Sequence, residues 1–265
     1  MSHPYEVVRV RGDAAPLACF HGFLGSPSSW RPIVERMEGP VALARLPGHG
    51  LDPWMLERPS FDAVVEAFAD ALPFDAPTWL AGYSMGARIA LGLAVRHPSK
   101  VRGAVLVGVQ PGLRTEALRR ERIAWEESLA ARVGALGIAD FASEWSALPL
   151  FDSQATLPAS VRETQRVARV EHTERGVAWS LEALGLGRMP ALWDALATCP
   201  VPLVFVTGEL DTKFTAVAED AARVARDAST RVVAGAGHNV GLEAPTALTH
   251  LVNWARALPR PHVGL

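Results

Sequence analysis

The 265 residues are 49% hydrophobic, include eight tryptophans and carry a net charge of −2, enough apolar surface for one large domain or a domain with an insertion. Without a basic block the chain does not read as a nucleic-acid or membrane-surface binder, and no stretch is long enough to span a bilayer. The start, Met1 to Glu6, lacks a basic region followed by an apolar one, so the expected compartment is the cytoplasm.

Tyr5 to Val10 reads as an edge strand, and Leu17 to Phe20 as a short apolar strand running into His21-Gly22-Phe23-Leu24-Gly25. Ser26 to Ser29 makes a turn and helix N-cap before Trp30 and Ile33-Val34. The H-G-x-x-G segment after a strand is where the backbone N–H of Phe23 can join that of Met85 as an oxyanion hole. His21 is expected to brace this loop. Val41 to Leu46 is the next strand, followed by Pro47-Gly48-His49-Gly50, with His49 hydrogen-bonding locally. Phe61, Val64, Val65, Phe68 and Leu72 have helical spacing and pack on the sheet. Cys19 and Cys199 lie in apolar, strand-like contexts and are expected as buried thiols.

Residues 78–97 organise the chain. An apolar run ending at Tyr83 meets Ser84, an Ala- and Leu-rich helical stretch follows, and Gly82 and Gly86 bracket the serine as G-x-S-x-G. In a sharp strand-to-helix turn small residues let neighbouring elements pass close to a strained, exposed serine. Val101 to Val109 is a further buried strand. The strand-plus-helix rhythm up to this point implies a mostly parallel, doubly wound sheet flanked by helices. Residues 113–188 break the rhythm with four helices (Glu116–Leu136, Ile138–Ala147, Ser160–Glu171, Gly176–Leu184), too long for one crossover. They are expected to form a helical cap inserted into a core of residues 1–112 and 189–265. Leu192–Ala197 is a crossover helix, Val201–Thr207 a strand, Val217–Ala225 a helix, Thr230–Val233 the last strand and Thr246–Ala257 a closing helix.

A serine hydroxyl needs an adjacent imidazole, itself oriented by a carboxylate, to act as nucleophile or base. Gly208-Glu209-Leu210-Asp211 follows one late strand and Gly235-Ala236-Gly237-His238 the last. The order Ser84, Asp211, His238 fits the α/β-hydrolase triad, with Glu209 as the alternative acid, pointing the other way. His3, His97, His172 and His250 lie at the terminus or on helices and are expected to be solvated. A serine at the elbow argues against chemistry that needs a carboxylate nucleophile there.

The chain resembles the 2-succinyl-6-hydroxy-2,4-cyclohexadiene-1-carboxylate synthases of menaquinone biosynthesis from His21 to Pro245. The resemblance is carried by H-G-F-L-G-S at 21–26, G-Y-S-M-G-A-R at 82–88, R-R-E-R-I-A-W-E-E-S-L-A at 119–130, F-x-x-x-W-x-x-x-P-L-F at 141–151, G-E-L-D-T-K-F at 208–214 and G-A-G-H-N at 235–239. It implies elimination of pyruvate from an enolpyruvyl cyclohexene carboxylate, with the serine as a His238-assisted base and no metal or organic cofactor. By the same resemblance Arg88, Arg122 and Arg169 bind substrate carboxylates, with Arg119 or Arg120, and Arg166, as alternatives if the register slips. Trp145 matches a cap tryptophan and Tyr83 the aromatic beside the nucleophile. Ala87 stands where many relatives have Gly. Lys213 is notable because Lys100 is the only other lysine; an ion pair with Glu209 is its structural alternative. The implied partner is a small polycarboxylate, and the protein itself is a monomer or homo-oligomer. A carboxylesterase or C–C bond hydrolase using the triad covalently is the rival, and a non-catalytic binding protein the third reading.

Overall fold

Short runs of Val, Leu and Ala, apolar at consecutive positions, form strands buried on both faces, as a parallel sheet covered by helices requires. In the computed structural model, which describes residues 4–8 and 13–258, these runs are β1 (Tyr5–Val8), β2 (Leu17–Phe20), β3 (Val41–Ala44), β4 (Thr78–Tyr83), β5 (Val101–Val107), β6 (Leu203–Gly208) and β7 (Ala228–Val233). They make one sheet in the order β1-β3-β2-β4-β5-β6-β7. β1 runs antiparallel to β3 and every other pairing is parallel. Val10, expected in the first strand, and His3 lie outside the described residues.

The helices are α1 (Arg31–Val34), α2 (Phe61–Asp70), α3 (Met85–Arg96), α4 (Glu116–Leu136), α5 (Ile138–Ser146), α6 (Ala159–Val170), α7 (Glu174–Leu184), α8 (Trp193–Leu196), α9 (Thr212–Val224), α10 (Val240–Glu243) and α11 (Pro245–Arg256). A 3₁₀ segment, Pro149–Thr156, joins α5 to α6. Side chains alternate across the sheet. Ala18, Phe20, Leu80, Ala104 and Phe205 pack with α2, α3 and α8, whereas Leu17, Cys19, Trp79, Val105 and Val206 pack with α1 and α11. Both cysteines are buried and free, and burial raises both thiol pKa values. A third apolar cluster joins Leu24 to Val133 of α4, Phe141 of α5, and Val177 and Leu181 of α7.

The strand order explains where a site forms. From β2 the chain moves outward to β3 and then returns to the other side of β2 as β4. The loops after β2 and β4 therefore diverge and leave a crevice at the carboxyl edge. Among the described residues no helix is long and apolar enough to cross a membrane.

α9 begins at Thr212, five residues before the expected start. Asp211 caps it by accepting the Phe214 N–H at 3.2 Å, and that side-chain cap sets the start.

Candidate active site

Ser84 is half strand and half helix. Its N–H continues the β4–β5 ladder to Val107 O at 2.8 Å, and its carbonyl accepts the Arg88 N–H at 3.1 Å as the first bond of α3. The change of direction puts Ser84 at φ 50°, ψ −110°, a positive-φ conformation that costs about 1–3 kcal/mol for a non-glycine residue. Close packing over-determines it: a Cβ on Gly86 would lie 2.3 Å from Phe20 O, and one on Gly82 2.5 Å from Ala87 Cα. Ala87 is itself fully buried without strain of this kind.

The carboxyl ends of β6 and β7 bring two more residues to the hydroxyl. His238 Nε2 lies 3.2 Å from Ser84 Oγ, and His238 Nδ1 lies 2.6 Å from Asp211 Oδ2. A carboxylate only accepts, so Nδ1 carries the proton and Nε2 is free to accept from the serine. Asp211 and His238 are buried. Glu243 holds the loop on both sides of the imidazole, its carboxylate accepting the N–H of Gly237 at 2.7 Å and of Asn239 at 3.1 Å. Tyr83, Phe214 and Phe151 surround the ring, with centroids 5.4, 4.5 and 6.3 Å away. The geometry is that of a hydroxyl activated by an oriented base in an apolar setting. Glu209 turns away, accepting the Gly235 N–H at 2.8 Å.

Three histidines set the loops after β2 and β3. His21 Nε2 accepts the Leu46 N–H at 3.1 Å, while its Nδ1 lies 2.8 Å from Gly22 O. His49 Nε2 accepts the N–H of Leu24, a residue at φ 53°, and His172 Nδ1 accepts that of Gly50 at 2.8 Å. The rings meet edge to face, with centroids 5.0 Å and 5.3 Å apart. Burial lowers the His21 pKa to about 3 and that of His172 to about 4, and holds His49 well below its ordinary value. His172 thus departs from the expected solvated position. α6 ends at Val170, and the turn into α7 lays the imidazole against the 47–50 loop. His97 is half-buried against Glu66, and His250 is exposed. With the Leu24 and Gly25 N–H groups already engaged, the N–H groups of Phe23 and Met85 have no acceptor among the described residues.

A cavity of about 1090 Å³ opens over Ser84 and His238, between the sheet edge and helices α4 to α6. Arg88, Arg122, Arg169, Tyr83 and Trp145 all line it, as do Trp125 and Lys213. Arg88 is buried and donates to Leu184 O at 2.6 Å, at the negative end of α7. Burial lowers its pKa to about 10, with Glu126 opposing and Arg122 adding to the shift, so it stays charged at neutral pH. Arg122 is held by Glu126, with Nε to Oε1 at 2.7 Å, and its guanidinium sits 4.2 Å over the Trp125 ring. Buried Glu126 also accepts the N–H groups of Leu186 and Gly187, tying α4 to the segment after α7. Arg169 is buried, donates to Ser146 Oγ and lies 5.1 Å from the Phe151 ring centre. Its pKa falls on burial with Tyr83 opposing, while burial raises the Tyr83 phenol and Arg169 opposes that.

The alternatives fall away from the cavity. Arg119 pairs with Glu116 and Arg166 with Glu163, and neither they nor Arg120 line it. Trp145 packs 4.8 Å from Phe23 and stacks on Phe141, so it belongs to the helical core as well as to the lining. Lys213 corrects one expectation: no ion pair joins it to Glu209 among the described residues. The sequence reading missed the supports Glu126 and Glu243. Acidic residues next to an Arg-rich run and after G-A-G-H-N were the available signals. Among the described residues no group of three or more His, Cys, Asp or Glu side chains is placed to hold a metal ion.

A mostly parallel sheet with serine, acid and histidine after β4, β6 and β7 defines an α/β-hydrolase-fold enzyme. The chain belongs to the Alpha/beta hydrolase family, whose profile matches residues 17–250, and within it to the 2-succinyl-6-hydroxy-2,4-cyclohexadiene-1-carboxylate synthases. The proteins of that name from Serratia proteamaculans (strain 568) and Salmonella heidelberg (strain SL476) are 35% and 32% identical to it. The match covers 89% of this chain in both, and 90% and 91% of the relatives respectively. The solved structure of MenH from S. aureus superposes with a TM-score of 0.90 at 27% identity, covering 96% of this chain and 98% of that one.

Proposed function

We propose that the protein is a lyase that eliminates pyruvate from 2-succinyl-5-enolpyruvyl-6-hydroxy-3-cyclohexene-1-carboxylate. Ser84, His238 and Asp211 act as the base system, and helices α4 to α7, residues 113–188, act as a cap on the core of residues 1–112 and 189–265. The product is 2-succinyl-6-hydroxy-2,4-cyclohexadiene-1-carboxylate, a step of menaquinone biosynthesis in the cytoplasm. One observation carries the reading: a hydroxyl 3.2 Å from an oriented imidazole opens into a cavity lined by Arg88, Arg122, Arg169 and Lys213. A pocket for neutral esters has no use for such a lining, whereas this substrate bears three carboxylates.

The chemistry follows from the substrate. Ser84, its proton drawn toward His238, removes the ring proton beside the succinyl carbonyl. The ring double bond shifts, the ring C–O bond breaks, and the departing enolpyruvate takes up a proton to become pyruvate. No water is consumed and no acyl-enzyme forms. The N–H groups of Phe23 and Met85 stabilise negative charge developing on the succinyl oxygen. The arginines hold the carboxylates, Trp145 packs against the substrate, and the protonated Tyr83 phenol donates beside the serine.

The test is pyruvate release from the enolpyruvyl substrate by wild type and Ser84→Ala. Release by wild type, lost in the variant, is the expected result. Rapid hydrolysis of p-nitrophenyl esters without pyruvate release would instead identify an esterase.

A further inference from the structure

We propose that Lys213 is a carboxylate-binding, specificity-determining residue, the third unpaired cation that completes recognition of a tricarboxylate. The inference rests on the substrate reading above.

Lys213 is poorly explained as a structural residue. It is the second residue of α9, where the helix dipole disfavours a cation by about 0.3–1 kcal/mol. Lys100, the only other lysine, donates to Ala69 O and lies 4.0 Å from Asp70, but Lys213 makes no ion pair among the described residues. Glu209, the nearby acid in sequence, is engaged by Gly235.

The charges of the lining make the case. Of its four cations, Arg122 is already paired with Glu126. Arg88, Arg169 and Lys213 have no carboxylate at ion-pair distance among the described residues, and Glu121, the acid in the lining, pairs with none of them. Three unpaired cations thus face a substrate with three carboxylates. They come from α3, α6 and α9, so they are spread around the cavity and not stacked on one wall. Lys213 Nζ lies 5.9 Å from the Phe214 ring centre, and that ring is 4.5 Å from His238, which puts the ammonium on the imidazole side. Without it the α9 wall carries no charge to hold an anion beside the reacting centre.

Titration of the cavity tryptophan fluorescence with tricarballylate and with glutarate tests this in wild type, Lys213→Gln and Lys213→Arg. Wild type should prefer the tricarboxylate. Lys213→Gln should lose about tenfold of that preference, Lys213→Arg should keep most of it, and the difference should shrink at high salt. Equal affinity of wild type for the two probes, or an unchanged preference in Lys213→Gln, overturns the proposal. The pyruvate assay separates the two readings. If wild type releases pyruvate and Lys213→Gln leaves KM unchanged, Lys213 alone is refuted; lost tricarboxylate preference in a wild-type background that releases no pyruvate leaves Lys213 standing and removes the substrate.

Discussion

Acidification from pH 7 to pH 5 is expected to cost this protein about 4 kcal/mol of folding stability through His21 and His172, with His49 shifting stability in the same direction. All three are buried and accept a backbone N–H, so the native fold holds them neutral. In the unfolded chain each titrates near 6.5, whereas native His21 and His172 sit at about 3 and about 4. A lowered native pKa means that the unfolded chain binds more protons. The stability is therefore complete above pH 6.5 and is lost as pH falls toward the native values. Between pH 7 and 5 His21 and His172 each contribute about 2 kcal/mol to that loss, from a total stability of about 5–15 kcal/mol. His172→Gln isolates one of them, because the amide oxygen can still accept the Gly50 N–H but cannot titrate. Urea unfolding at both pH values, followed by tryptophan fluorescence, should show a loss about 2 kcal/mol smaller in the variant. Titrating groups remote from His172 cancel in that comparison. Identical losses in wild type and His172→Gln would refute the reasoning.

Two further substitutions probe the supports. Gly86→Ala forces a methyl to within 2.3 Å of Phe20 O and 2.4 Å of His21 O, both backbone atoms that cannot rotate away. It should cost about 3 kcal/mol in thermal unfolding, and a wild-type melting temperature would contradict the packing argument. Glu126→Gln removes the charge that holds Arg122 and weakens one of two acceptors for the segment after α7. It should cost about 2 kcal/mol and raise KM in the pyruvate assay; unchanged values of both would show that the carboxylate is dispensable.

The local elements were legible because their signals are local. Apolar runs, helical spacing and G-Y-S-M-G specify the strands, the helices and the strained turn at Ser84 wherever the rest of the chain lies. The order Ser84, Asp211, His238 was legible too, since parallel strands deliver residues that follow them to one edge. Periodicity did not reveal the start of α9, which depends on the side chain of Asp211. Nor could it tell a wet histidine from a dry one: His172 is buried only because the α6–α7 turn settles on the 47–50 loop, a contact 122 residues long-range in sequence.

Sequence by itself therefore determined the sheet, the strained turn at Ser84 and the three residues that meet at the sheet edge, all of which follow from neighbours along the chain. Tertiary structure alone decided between the arginine alternatives and between the two readings of Lys213. Arg122 turns inward while Arg119 and Arg166 pair on the surface, and Lys213 lines the cavity with no ion pair to Glu209 among the described residues. Charge pairing depends on distances of a few ångströms between elements far apart in sequence, and only the folded chain sets those distances.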